Sequence, residues 1–61
     1  MGYNEIIKKI RQTKKLTQQE LANILGVGQS VLASLESGAR TPSYKNQRII
    51  DSYCVKNKIK I

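Results

Sequence analysis

Residues 16–42 read LTQQELANILGVGQSVLASLESGARTP. Thr17-Gln18-Gln19-Glu20 near its head forms a capping box, in which the threonine caps and the glutamate three residues on reaches back to it. A helix therefore starts at Gln18. At about 100° per residue, Leu21, Ala22 and Leu25 share its inner face, and Gly26 supplies the left-handed residue that ends it. A helix of about two turns does not stand alone in water, so this one must pack on its neighbours. After the tight Leu25-Gly26-Val27 turn a second short helix follows. Val31, Leu32 and Leu35 fill one arc of about 100°, while Gln29, Ser30, Ala33, Ser34 and Ser37 fill the opposite one. Gly38 gives the next stop.

Working outward, Tyr3, Ile6, Ile7 and Ile10 fall on one arc, and Glu5, Lys8, Lys9, Gln12 and Thr13 lie off it. That pattern predicts an amphipathic helix ending near Thr13, with Lys14 and Lys15 where the helix dipole favours cations. On the other side Thr41-Pro42-Ser43 restarts the chain, with Pro42 as a first helical residue after Thr41 or Ser43 as the cap. A fourth helix is expected over Tyr44 to Tyr53, burying Tyr44, Ile49 or Ile50, and Tyr53. Residues 55–61, VKNKIKI, alternate with period two, which is a strand pattern without a partner strand in the chain. The expected fold is all-α: a compact domain of four to five helices over residues 1–54, followed by a basic tail at 55–61. That tail is a candidate dimerisation strand or a short helix.

Sixty-one residues hold one domain with a small core. Eleven Lys and Arg against four Asp and Glu give a net charge of +7. Such a balance favours a polyanionic partner, nucleic acid before an acidic membrane surface. Within so basic a chain, residues 28–38 carry no lysine, no arginine and one glutamate. There is no histidine, and Cys54 is the only cysteine, so an internal disulfide and a histidine-activated nucleophile are both excluded. A metal site would have to be built from Glu5, Glu20, Glu36 and Asp51 alone. Neither an enzyme nor a cofactor is expected. No apolar run reaches transmembrane length, and Met1-Gly2-Tyr3-Asn4 lacks a signal-peptide apolar region, so the expected location is cytoplasmic.

Two short helices joined by a tight turn are the helix-turn-helix geometry. Residues 16–42 resemble the lambda-repressor-like, Cro/C1-type (XRE) helix-turn-helix domain. The resemblance runs from about Ile6 to Tyr53. It rests jointly on the Gln18 to Ala22 segment, the Gly26-Val27 turn and the Leu35-Glu36 … Gly38 … Pro42 ending.

The resemblance implies a sequence-specific transcription regulator, with a Cro-type repressor foremost. It would bind a pseudo-palindromic double-stranded DNA operator as a homodimer, with half-sites about 34 Å apart. An antitoxin, a restriction–modification controller or a protein-interaction module on the same fold are the alternatives. It places the Gln29–Ser37 helix in the major groove, with Gln29 and Ser30 as leading base readers and Ala33 and Ser34 one turn deeper. Glutamine suits the adenine edge, serine is permissive, and an alanine methyl meets a thymine methyl. Gln18, Ser37, Arg40, Thr41 and Lys45 become candidate phosphate contacts, and in relatives the glutamine matching Gln18 also buttresses the one matching Gln29. Backbone N–H groups opening the second and fourth helices would face phosphates as well. Lys14 and Lys15 are either anchors or solvated cations. Arg11 and Glu36 match a partly buried ion pair of the family. There are departures too. Gly28 stands where relatives carry a Ser or Thr cap, Ile24 stands at a usually polar position, and YCVKNKIKI stands where the family usually has a fifth helix. No membrane contact and no small-molecule ligand are implied.

Overall fold

The structure, a computed structural model, describes residues 2–60. Four helices follow in order: α1 Tyr3–Lys14, α2 Gln18–Leu25, α3 Gln29–Ser37 and α4 Tyr44–Lys56. The capping box forms in full, with Glu20 N–H donating to Thr17 Oγ1 at 3.1 Å and Thr17 N–H donating to Glu20 Oε1 at 2.8 Å. Gly26 closes α2 at φ 74°, and Gly38 closes α3 at φ 87°, both in the region that a Cβ disfavours. Of the two possible starts of α4, the chain uses Ser43, whose hydroxyl accepts from Asn46 N–H at 3.3 Å. Pro42 stays outside the helix and is buried.

The core takes its side chains from every helix. Ile6, Ile7 and Ile10 of α1 meet Leu21, Ala22 and Leu25 of α2, Leu32 and Leu35 of α3, and Ile50 and Cys54 of α4. Because α3 packs on both α1 and α2, its inner face is fixed from two sides. Val31 lies only partly buried at its edge.

Two expectations for the C-terminal part fail. Tyr44 is 72% exposed rather than buried, because it is the first residue of α4 and lies outside the core-facing arc. Its ring sits beside the Arg48 guanidinium, 5.9 Å from carbon to centroid. Ile50 takes the core position, with Ile49 and Tyr53 packed alongside.

The period-two pattern of the tail produces no strand among the described residues. Instead α4 runs through Val55 to Lys56. Lys58 then turns left-handed at φ 56°, its N–H donating to the Val55 carbonyl at 3.2 Å. Ile59 N–H donates to the Cys54 carbonyl at 2.8 Å. These two bonds are the Schellman closure, and they fold Ile59 back into the core at 7% exposure. Alternation in the sequence thus reflects one exposed helical residue, Val55, and one apolar residue returned by a turn. Ile61, the last of the alternating residues, lies outside the described residues.

A polar tie joins α1 to α4. Tyr3 Oη donates to both Asp51 carboxylate oxygens at 3.2 Å each. Partial desolvation and, after it, the Asp51 charge hold the Tyr3 phenol above its ordinary pKa. Burial, with Asp51 as the smaller influence, likewise pushes the Cys54 thiol up.

Candidate nucleic-acid interface

The outer face of α3 begins with Gln29 and Ser30, both exposed and adjacent at its first turn. Ala33 and Ser34 follow, half-buried, one turn on. None of the four is charged, and no cation intrudes among them along the helix. Gly28 precedes them in an extended conformation without a side-chain cap, so the opening N–H groups of α3 have no capping side chain. Leu32 and Leu35 hold this face in place from behind.

Behind the C-terminal half of α3 sits a cluster around Glu36. Arg11 Nη1 donates to both carboxylate oxygens at 2.7 Å. The side chains are 28% and 14% exposed, which makes this a partly buried pair. One nitrogen serves both oxygens, so this is a shared contact rather than two parallel N–H···O bonds. Arg11 Nε donates to the Leu16 carbonyl at 3.1 Å, and the Arg11 carbonyl accepts from Leu16 N–H at 2.9 Å. The same residue therefore holds the α1–α2 turn by main chain and side chain. Lys15 adopts φ 55° in that turn.

Gln18 turns toward Glu36. Its Nε2 donates to Glu36 Oε1 at 3.2 Å, and no hydrogen bond joins it to Gln29 among the described residues. Residues 18 and 36 lie on different helices, so no spacing in the sequence announces their contact. Gln19 Nε2 instead pairs with Asn23 Oδ1 at 3.0 Å along α2, an i, i+4 link that spacing does permit.

Ser37 is the last residue of α3, Arg40, Thr41 and Lys45 follow it, and all four are exposed. The Ser37 hydroxyl donates to the Ser34 carbonyl at 3.1 Å and accepts from Ala39 N–H at 3.3 Å. The single O–H of Ser37 is thus engaged within the exposed turn that follows α3, and it helps to shape that turn. Arg40 N–H joins the same Ser34 carbonyl at 3.2 Å, leaving its guanidinium outside. Thr41 precedes the Ser43 cap, and Lys45 lies in the first turn of α4, where N–H groups lack intrahelical partners. Lys14 and Lys15 project from the far end of α1, exposed. Ile24 is 49% exposed on α2.

The pattern of a capped α2, a glycine turn and a neutral-faced α3 is matched by a family model described as Helix-turn-helix over residues 7–50. The chain belongs to the helix-turn-helix family. Its match covers α1 from Ile7, all of α2 and α3, and α4 as far as Ile50. Among curated proteins, the chain is 44% identical over 43 residues to "Uncharacterized HTH-type transcriptional regulator YqaE" of Bacillus subtilis (strain 168). That alignment covers 70% of this chain and 37% of the relative, so the chain spans just over a third of the relative's length. No solved structure matches the chain. Among the described residues no helix is long and apolar enough to cross a membrane, and no group of three or more His, Cys, Asp or Glu side chains could hold a metal ion.

Proposed function

We propose that this chain is a sequence-specific, double-stranded-DNA-binding transcription regulator that lays α3 in the major groove and acts as a Cro-type repressor. The observation that carries the proposal is the exposed, uncharged opening of α3, with cations kept to its rim in a chain of net charge +7. Short neutral side chains let a helix seat deeply enough to meet base edges, whereas long cations there would grip any phosphate. Gln29 is the candidate adenine reader, Ser30 a permissive neighbour, and Ala33 and Ser34 the deeper contacts. Arg40, Thr41 and Lys45, with the N–H groups opening α2 and α4, are the candidate phosphate contacts. The relative named as an HTH-type transcriptional regulator supports the same class.

A nine-residue α3 reaches only a few base pairs, and a site that short recurs throughout a genome. Two copies on a pseudo-palindromic operator, with half-sites about 34 Å apart, supply the missing discrimination. Repression then follows from occupying promoter DNA, with the protein's own concentration as the switch. The cytoplasm is where such an operator is met.

Selection of bound sites from random duplex DNA tests this directly. A palindromic consensus is the expected outcome, and binding without sequence preference would overturn the proposal. Replacing Gln29 and Ser30 by Ala should weaken the selected site and relax its consensus. Unchanged affinity and consensus would mark α3 as a face for protein partners instead. If each protomer neutralises about four phosphates, log affinity should fall against log salt with a slope of roughly −3.6 per protomer.

A further inference from the structure

We propose that Gln18 is a positioning residue: through Glu36 it locks the first turn of α2 to the helix that reads DNA. The proposal rests on the preceding one only in taking α3 as the reader.

Glu36 is the penultimate residue of α3, and its carboxylate receives donors from two other helices. Arg11 of α1 supplies one nitrogen to both oxygens, and Gln18 of α2 adds a hydrogen bond on Oε1. Three helices thus meet at one half-buried group. A carboxylate offers about four lone-pair sites, so all three contacts are accommodated without competition. With one amide hydrogen turned toward Glu36, the carbonyl oxygen of Gln18 points elsewhere. That oxygen is an acceptor only, which leaves the second amide hydrogen as the one side-chain donor not turned toward Glu36.

Gln18 is also the first residue of α2, next to the Thr17 cap, where the leading N–H groups have no intrahelical partners. A hydrogen bond from this residue to α3 therefore fixes the spacing between the anion-facing end of α2 and the outer face of α3. Base-edge hydrogen bonds weaken steeply with small changes of distance and angle, while attraction to phosphates tolerates them. Loosening the link should cost discrimination before it costs general affinity.

The test uses the whole chain with Gln18→Ala and, as a second variant, Glu36→Gln, singly and combined. Melting without DNA comes first. Gln18→Ala should lower the Tm, and the two substitutions should be non-additive. Binding to the selected operator and to an unrelated duplex comes second. The preference for the operator over that duplex should fall about three- to tenfold in Gln18→Ala, with unrelated binding changed less than about twofold. An unchanged Tm, additive substitutions, or equal weakening on both duplexes would each overturn the proposal. Equal weakening with an unchanged Tm would instead make Gln18 a phosphate ligand. If no duplex is bound at all, the DNA reading fails, and with it the positioning role. Melting alone would still report whether Gln18 and Glu36 are coupled.

Discussion

Replacing Arg11 by alanine should remove a large part of this domain's stability. Opposite charges about 4 Å apart attract by about 4 kcal/mol at an effective dielectric of 20, and desolvating the two groups offsets a substantial share. The substitution also leaves Glu36, only 14% exposed, with the Gln18 amide as its remaining partner, and it deletes the bond to the Leu16 carbonyl. A net loss of about 2–3 kcal/mol results, below the value for a fully buried pair because both groups keep some contact with water. Domains have about 0.05–0.15 kcal/mol of stability per residue, which for this length is about 3–9 kcal/mol. At about 4–8 °C per kcal/mol, the Tm should fall by about 10–20 °C in thermal unfolding followed by circular dichroism. The drop should persist near about 0.5 M salt, since a half-buried pair is screened far less than an exposed one. A fall below about 4 °C, or one that salt abolishes, would put the pair among ordinary surface contacts and refute the reasoning.

Other positions give cleaner single effects. Lys58→Gly should raise the Tm by several degrees, because a non-glycine residue at φ 56° carries a strain of about 1 kcal/mol that glycine lacks; a fall on calorimetry would refute this. Gly26→Ala should destabilise by about 1 kcal/mol in urea unfolding: the new Cβ meets no atom within 4 Å, so backbone conformation at φ 74° is the whole effect, and a neutral result would contradict it. Stability should also decline in alkali. The folded-state pKa of Tyr3 is raised, so its contribution is fully present below the ordinary phenol range and is lost as pH climbs through the folded value. Urea midpoints measured from neutral to strongly alkaline pH should show a steeper decline in the wild type than in Tyr3→Phe; parallel curves would rule the Tyr3–Asp51 bond out as the cause.

Much of the fold was legible because its boundaries are local chemistry. Thr17 with Glu20, Gly26 and Gly38 each act within a few residues, and the apolar arcs of α1, α2 and α3 follow from helical period alone. What was illegible depended on tertiary placement. Ile59 is apolar for the sake of a turn that returns it to the core, which period-two counting mistakes for a strand. Tyr44 is aromatic yet stands outside, because only the surrounding helices decide which side of the first turn of α4 is covered. Within the site, the outer face of α3 could be drawn on a wheel, but the bond of the Ser37 hydroxyl to the Ser34 carbonyl and the turn of Gln18 toward Glu36 could not. Both are choices among hydrogen-bond partners that only a folded neighbourhood offers.

Gln29, Ser30, Ala33 and Ser34 supply no side chain to the buried core, which α3 reaches through Leu32 and Leu35. Substitutions at exposed positions such as Gln29 and Ser30 usually change stability by no more than about 0.5 kcal/mol, while the half-buried Ala33 and Ser34 have less room for larger side chains. Gln29 and Ser30 can therefore mutate almost independently of folding, provided glycine and proline are avoided, and Ala33 and Ser34 can do so among small side chains. One scaffold could be retuned to many operators by a handful of point changes, leaving Arg11, Glu36 and the apolar anchors untouched. A library randomised at codons 29 and 30 and restricted to small residues at 33 and 34 would hold mostly folded proteins, and a search for new operator preferences could begin there.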